Sequence, residues 1–144
     1  MKVHVIYDTK RGATERVAGW IGNAMKEMGA EVEVKRAGDV KEIDGELVVI
    51  GSPVYWERPL RSVRDFVKSR KEELARKKLA FFVVCMAGEF AGKRYLKSLM
   101  DGLEDMTVAR CVFRGWLWRV VSHKRERVEK WARDVLKGVK KREV

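Results

Sequence analysis

Short apolar runs alternate along this chain with stretches whose apolar residues recur every three or four positions, and this alternation narrows the possible folds more than any other feature. Lys2 to Tyr7 reads as a strand. Val17, Ala18, Ile21, Ala24, Met25 and Met28 then mark one face of a helix that Gly29 ends. Glu31 to Arg36 alternates as a half-buried strand, and Leu47 to Ile50 is a continuous buried one. Leu60, Val63, Phe66, Val67 and Leu74 mark the next helix, with Pro59 suited to its first turn. Leu79 to Ala87 is again a buried strand, Tyr95, Leu96, Leu99, Met100 and Leu103 a helix face, and Val108 to Phe113 a last strand. Val128, Trp131, Ala132, Val135, Leu136 and Val139 form a final amphipathic helix. Parallel strands need crossover connections, so the pattern predicts an α/β fold: five strands in an open, doubly wound sheet, as one domain over residues 1–144. The segment from Ala37 to Glu46 is too short and polar to predict a helix. In such sheets ligands bind beyond the carboxyl ends of the strands, so the loops after each strand are the places to look.

Composition removes several alternatives. With 144 residues, 46% hydrophobic and only two prolines, the chain has the apolar content for a core and too few breakers for low complexity. Its longest wholly apolar run, Leu79 to Ala87, is nine residues, against about 20 for a membrane-spanning helix. The apolar stretch Val3 to Tyr7 stops at Asp8 and Lys10, shorter and more polar than a signal-peptide core, so the expected location is the cytoplasm. Cys85 and Cys111 lie in apolar stretches without C-x-x-C spacing and are expected as reduced thiols. With His4 and His123 as the only histidines, no metal site is expected. The net charge is +11, and from Arg110 onward twelve bases face four acids, a field that attracts anionic partners.

Three loops carry the candidate site. The first runs Asp8-Thr9-Lys10-Arg11-Gly12-Ala13-Thr14 and ends at the start of a helix, whose unpaired N–H groups and dipole suit a phosphate. Gly12 allows close backbone approach, Thr9 and Thr14 offer hydroxyls, and Lys10 and Arg11 add charge. The same residues also read as a simple helix cap and turn. After the third strand, Gly51-Ser52-Pro53-Val54-Tyr55-Trp56 places two aromatics where a planar ligand could stack, or where they could pack on a helix end. After the fourth, Gly88-Glu89-Phe90-Ala91-Gly92 reads as a flexible loop that could edge the same ligand. The glycines there are one residue too close for G-x-x-x-x-G-K-[ST], and Arg94 replaces the hydroxyl after Lys93, which excludes a nucleotide P-loop.

Taken in order, Thr9, Gly12 and Thr14 fit the flavodoxin phosphate-loop pattern [ST]-x-x-G-x-T, and Val48 to Tyr55 resembles the flavin-ring loop of flavodoxin-like proteins. More narrowly, Thr9 to Thr14, Val49-Ile50-Gly51 and the stretch from Phe66 to Phe81 are similar to the menaquinone-dependent protoporphyrinogen oxidase branch. The resemblance implies a flavodoxin-like five-stranded parallel sheet in the order 2-1-3-4-5 with helices on both faces, and flavin mononucleotide (FMN) as cofactor. It places the flavin phosphate at Thr9, Lys10, Arg11, Gly12, Ala13 and Thr14. One side of the ring falls to Ser52, Pro53, Val54, Tyr55 and Trp56, and the other to Ala87, Gly88, Glu89, Phe90 and Gly92. No side chain is implied as a catalyst, because a flavin carries the redox chemistry itself. The implied activity is electron or hydride transfer between a donor and a quinone, porphyrinogen or protein acceptor, as an oxidoreductase or a pure electron carrier, with peripheral contact to an anionic membrane surface left open. The oxidase branch carries an added segment near its last strand, where Gly115 to Val121 is much shorter. Trp116 and Trp118 read either as an interface pair or as packing for the last helix. The competing function class is a basic module for anionic surfaces or nucleic acid that has lost the flavin. No RNA-binding aromatic pattern or helix-turn-helix accompanies the charge, so nucleic acid is not expected.

Overall fold

In the computed structural model, which describes residues 1–55, 58–86, 89–115 and 124–142, five long strands run parallel. They are β1 (Lys2–Tyr7), β2 (Glu31–Arg36), β3 (Leu47–Tyr55), β5 (Lys78–Cys85) and β6 (Thr107–Arg114). A two-residue strand, β4 (Arg58–Pro59), adds antiparallel to the end of β3. The order β2-β1-β3-β5-β6 is the doubly wound order expected for the five parallel strands, with β4 as a side strand. Helices α1 (Ala13–Glu27) and α5 (Arg125–Arg142) cover one face. The other face carries α2 (Arg61–Ser69), the single turn α3 (Lys71–Leu74) and α4 (Glu89–Met100).

Each face buries its own core. Under α1 and α5, Val3, Val5 and Tyr7 meet Val17, Ile21 and Met25, and Phe82, Phe113 and Trp131 form an aromatic cluster with centroids 5.6 to 6.3 Å apart. Trp131 therefore ties α5 to the sheet. On the opposite face Ile50, Phe81 and Val83 pack on Val63, Val67, Leu96 and Leu99.

Three local readings are corrected. Pro59 is not in the first turn of α2: it pairs with Val54 in β4, and the helix starts at Arg61. The predicted single helix through Leu74 breaks at Arg70, whose guanidinium donates to the Val40 and Lys41 carbonyls and to Glu73. Residues 51–55, read as a loop, extend β3 to Tyr55. The segment Ala37 to Glu46 holds only a 3₁₀ turn at Ala37–Asp39.

At the amino ends of the strands, His4 is buried and its Nε2 accepts the Gly45 N–H at 3.0 Å, with an Asp44 oxygen 2.9 Å away. The cation facing these carboxylates is Lys2, 2.7 Å from Asp44 and 3.8 Å from Glu33. The Lys2 hydrogen bond lowers the Asp44 carboxyl from its ordinary 3.8 to about 2. As pH falls, the unfolded chain takes up this proton first, so the stability Asp44 supplies above about pH 4 is lost toward pH 2. Asp44→Asn is expected to melt below the wild type at pH 5, with the gap closing by pH 2; a gap that stays constant in Tm scans across this range would refute the assignment.

Candidate functional site

At the carboxyl end of β1 the chain turns directly into α1. Gly12 caps that helix at φ +97°, a left-handed conformation that favours glycine, and Arg16 N–H donates to its carbonyl at 3.1 Å. The loop before it is closed by its own side chains. Asp8 accepts the Thr9 N–H at 2.8 Å, and the Thr9 hydroxyl accepts the Gly12 N–H at 2.9 Å. No side chain caps α1, so the plain capping reading of this loop fails. An ideal Cβ on Gly12 would meet nothing within 4 Å, so the loop opens onto free space there.

The Thr14 side chain is wholly buried in the first turn of α1, and its hydroxyl has no hydrogen-bond partner among the described residues. Buried hydroxyls are normally paired, because an unmet one costs about 1–3 kcal/mol. Here it lies where the helix's leading N–H groups also lack intrahelical acceptors. An anion accepting from both would fit this donor set. The second buried, unpartnered oxygen among the described residues is the Tyr55 hydroxyl at the end of β3. Lys10 Nζ lies 5.4 Å from the Tyr55 ring centroid, so the first and second loops meet in space. Burial raises the Tyr55 phenol above its ordinary value, opposed by the positive charge of Arg11.

Asp8 closes the other flank, accepting the Ser62 hydroxyl from α2 at 2.6 Å with Arg36 at 3.9 Å. Sequence reasoning opened the first loop at Asp8 but gave it no role toward the ligand. Tyr7, just before it, donates to Glu15 in the first turn of α1 at 3.1 Å, and burial raises its phenol.

Other expected positions serve the scaffold. The Ser52 hydroxyl donates to the Pro53 carbonyl at 2.7 Å and accepts the Leu60 N–H at 2.9 Å, so it braces β3 against the start of α2. Pro53 is buried beside Val84, and Val54 pairs with Pro59. Gly92 lies inside α4, where an added Cβ would come within 2.5 Å of Val112 on β6, so its lack of a side chain sets the helix–sheet approach. Ala13 is buried at the start of α1. Phe90, by contrast, is 85% exposed in the first turn of α4, and Met86 just before that turn is 47% exposed. Trp56, Ala87 and Gly88 lie outside the described residues, as do Trp116, Trp118 and His123, and Glu89 is placed only by its backbone.

A family model described as a flavodoxin domain matches residues 4–133, nearly the whole chain. The chain belongs to the flavodoxin domain family. In structure it resembles a flavodoxin from the domain Archaea, with TM-score 0.75 and 21% identity, across 97% of this chain and 99% of that one. It likewise resembles Flavodoxin 1 from Bacillus cereus, with TM-score 0.77 and 19% identity, across 95% and 98%. Both likenesses concern the fold. In sequence it is 26% identical over 97 residues to Protoporphyrinogen IX dehydrogenase (quinone) of Escherichia coli K12. That match takes in 65% of this flavodoxin-domain chain, which spans about half, 54%, of the relative's length.

Proposed function

We propose that this flavodoxin-domain protein binds FMN at the carboxyl ends of β1, β3 and β5 and works as a redox protein. The observation that carries the reading is the Thr14 hydroxyl, buried without a partner at the head of α1 beside the open Gly12. Thr14 would donate to the flavin phosphate together with the leading N–H groups of α1, while Lys10 and Arg11 supply the countercharge. Tyr55 would offer an aromatic face to the ring, with residues 87–92 on the far side. The flavin itself supplies the electron or hydride transfer. The chain's residues hold and orient it, and none is assigned as a general acid or base.

The small-molecule side of the exchange is proposed to be a quinone or a porphyrinogen, the chemistry in the name of the Escherichia coli relative. No helix among the described residues is long and apolar enough to cross a membrane.

The visible spectrum tests the reading. Purified protein reconstituted with FMN is expected to keep flavin bands near ~370 and ~450 nm through desalting, as a bound flavin shows. A colourless protein that fails to bind added FMN would overturn it.

A further inference from the structure

We infer that the rim of this site docks an acidic electron-transfer protein, an inference that rests on the redox reading above and names its macromolecular partner. The described residues of the segments leaving the carboxyl ends of the parallel strands, 8–16, 36–39, 58–65, 89–94, 114–115 and 124–125, make up under a quarter of the chain. They carry seven of its eleven net positive charges. The excess comes from the segments after β1, β3, β5 and β6, which share one end of the sheet, and this focuses the field there.

The kind of base points to a protein. The chain has as many lysines as arginines, yet the bases placed as exposed in these segments are eight arginines, including Arg58, Arg61, Arg94 and Arg114, against two lysines. Protein interfaces enrich arginine, methionine and aromatics and deplete lysine, whereas attraction to an anionic lipid surface is about equal for the two bases. Apolar anchors are present: Phe90 and Met86 stand exposed at the head of α4. Two such side chains suit a hot spot inside a polar rim. Asp8, Glu15 and Asp65 at this end are already counted in that net charge, so the cations outweigh the carboxylates a partner would meet. A docked partner would exchange one electron with a flavin held at this site, with no atom transferred.

The test measures association directly, with and without FMN, using rubredoxin as an acidic iron-protein probe and cytochrome c as a basic one of similar size. Binding to rubredoxin is expected to weaken about tenfold between ~20 and ~200 mM salt, as the screening length shrinks from roughly 20 to 7 Å. Cytochrome c is expected not to bind. Arg94→Glu combined with Arg114→Glu is expected to weaken rubredoxin binding about tenfold while FMN affinity and Tm stay unchanged. Equal binding of both probes, or no effect of the double charge reversal, would overturn the inference even in a protein that binds FMN well. So would tighter, reversal-sensitive binding to phosphatidylserine-containing vesicles than to rubredoxin, which would make the rim a membrane contact. A protein that takes up no FMN would defeat the redox reading, while the association arm would still judge the rim.

Discussion

Thr14→Val is expected to weaken FMN binding by about 10- to 100-fold, the equivalent of one hydrogen bond to a charged group at roughly 1.5–3 kcal/mol. The same substitution is expected to stabilise the flavin-free protein by about 1 kcal/mol, raising its Tm by roughly 3 °C. The opposite signs have one cause. The hydroxyl is wholly buried and unpartnered, so it burdens the flavin-free fold and would be satisfied by the flavin phosphate. Valine keeps the shape and removes the burden. Thr14→Ser keeps the donor and should retain most of the affinity. Isothermal titration and thermal melts of the flavin-free protein check both halves. If Thr14→Val bound FMN as tightly as the wild type, or melted lower without flavin, the hydroxyl would be a structural feature and the phosphate site would have to lie elsewhere.

This distinction shows what the sequence made legible. The strands and helix faces could be read because a parallel sheet covered on both faces demands near-continuous apolar strands, and residues such as Val48 to Ile50 and Leu79 to Val84 supply them, whereas the strand order came from the family resemblance. The first loop was legible as a phosphate pattern, but spacing could not separate a cap from a ligand site. The geometry adds what spacing lacks: Thr9 closes the loop and the Thr14 hydroxyl is left over, which supports the ligand reading. Punctuation residues misled in β3 and α2. Gly51-Ser52-Pro53 reads as a turn, yet these residues stay extended because Phe82 needs the space over Gly51 and Ser52 meets the Leu60 N–H. Pro59 has no N–H to donate, which suits a first helical turn and the end of a short edge strand equally well. The break at Arg70 depends on carbonyls thirty residues away, which no local pattern reports. Gly92 was expected in a loop at the ligand's edge, but it lies within α4 and its constraint comes from Val112 across the fold.

Gly51→Ala should be the most destabilising small substitution in this part of the sheet. An ideal Cβ there would clash with Cζ and two other ring atoms of Phe82. The ring has no room to swing away, since it is fully buried with Phe113 and Trp131 at 5.9 and 6.3 Å. Overpacking of this kind costs about 3 kcal/mol, the upper end of the usual range, and should lower Tm by roughly 6–12 °C. Phe82→Leu alone should cost roughly 1–3 kcal/mol by opening a cavity. Combined with Gly51→Ala, it should cost less than the two separate losses together, because the added methyl fills part of the space the ring vacated. Thermal and urea melts of the four proteins close this cycle. Additive losses would mean that β3 shifts as a whole to relieve the clash. The Tyr55 end of that strand would then move with it, and Gly51→Ala would weaken FMN binding in the Phe82→Leu background as much as in the wild type. If the rings alone hold Gly51 in place, the double variant should regain flavin affinity along with stability.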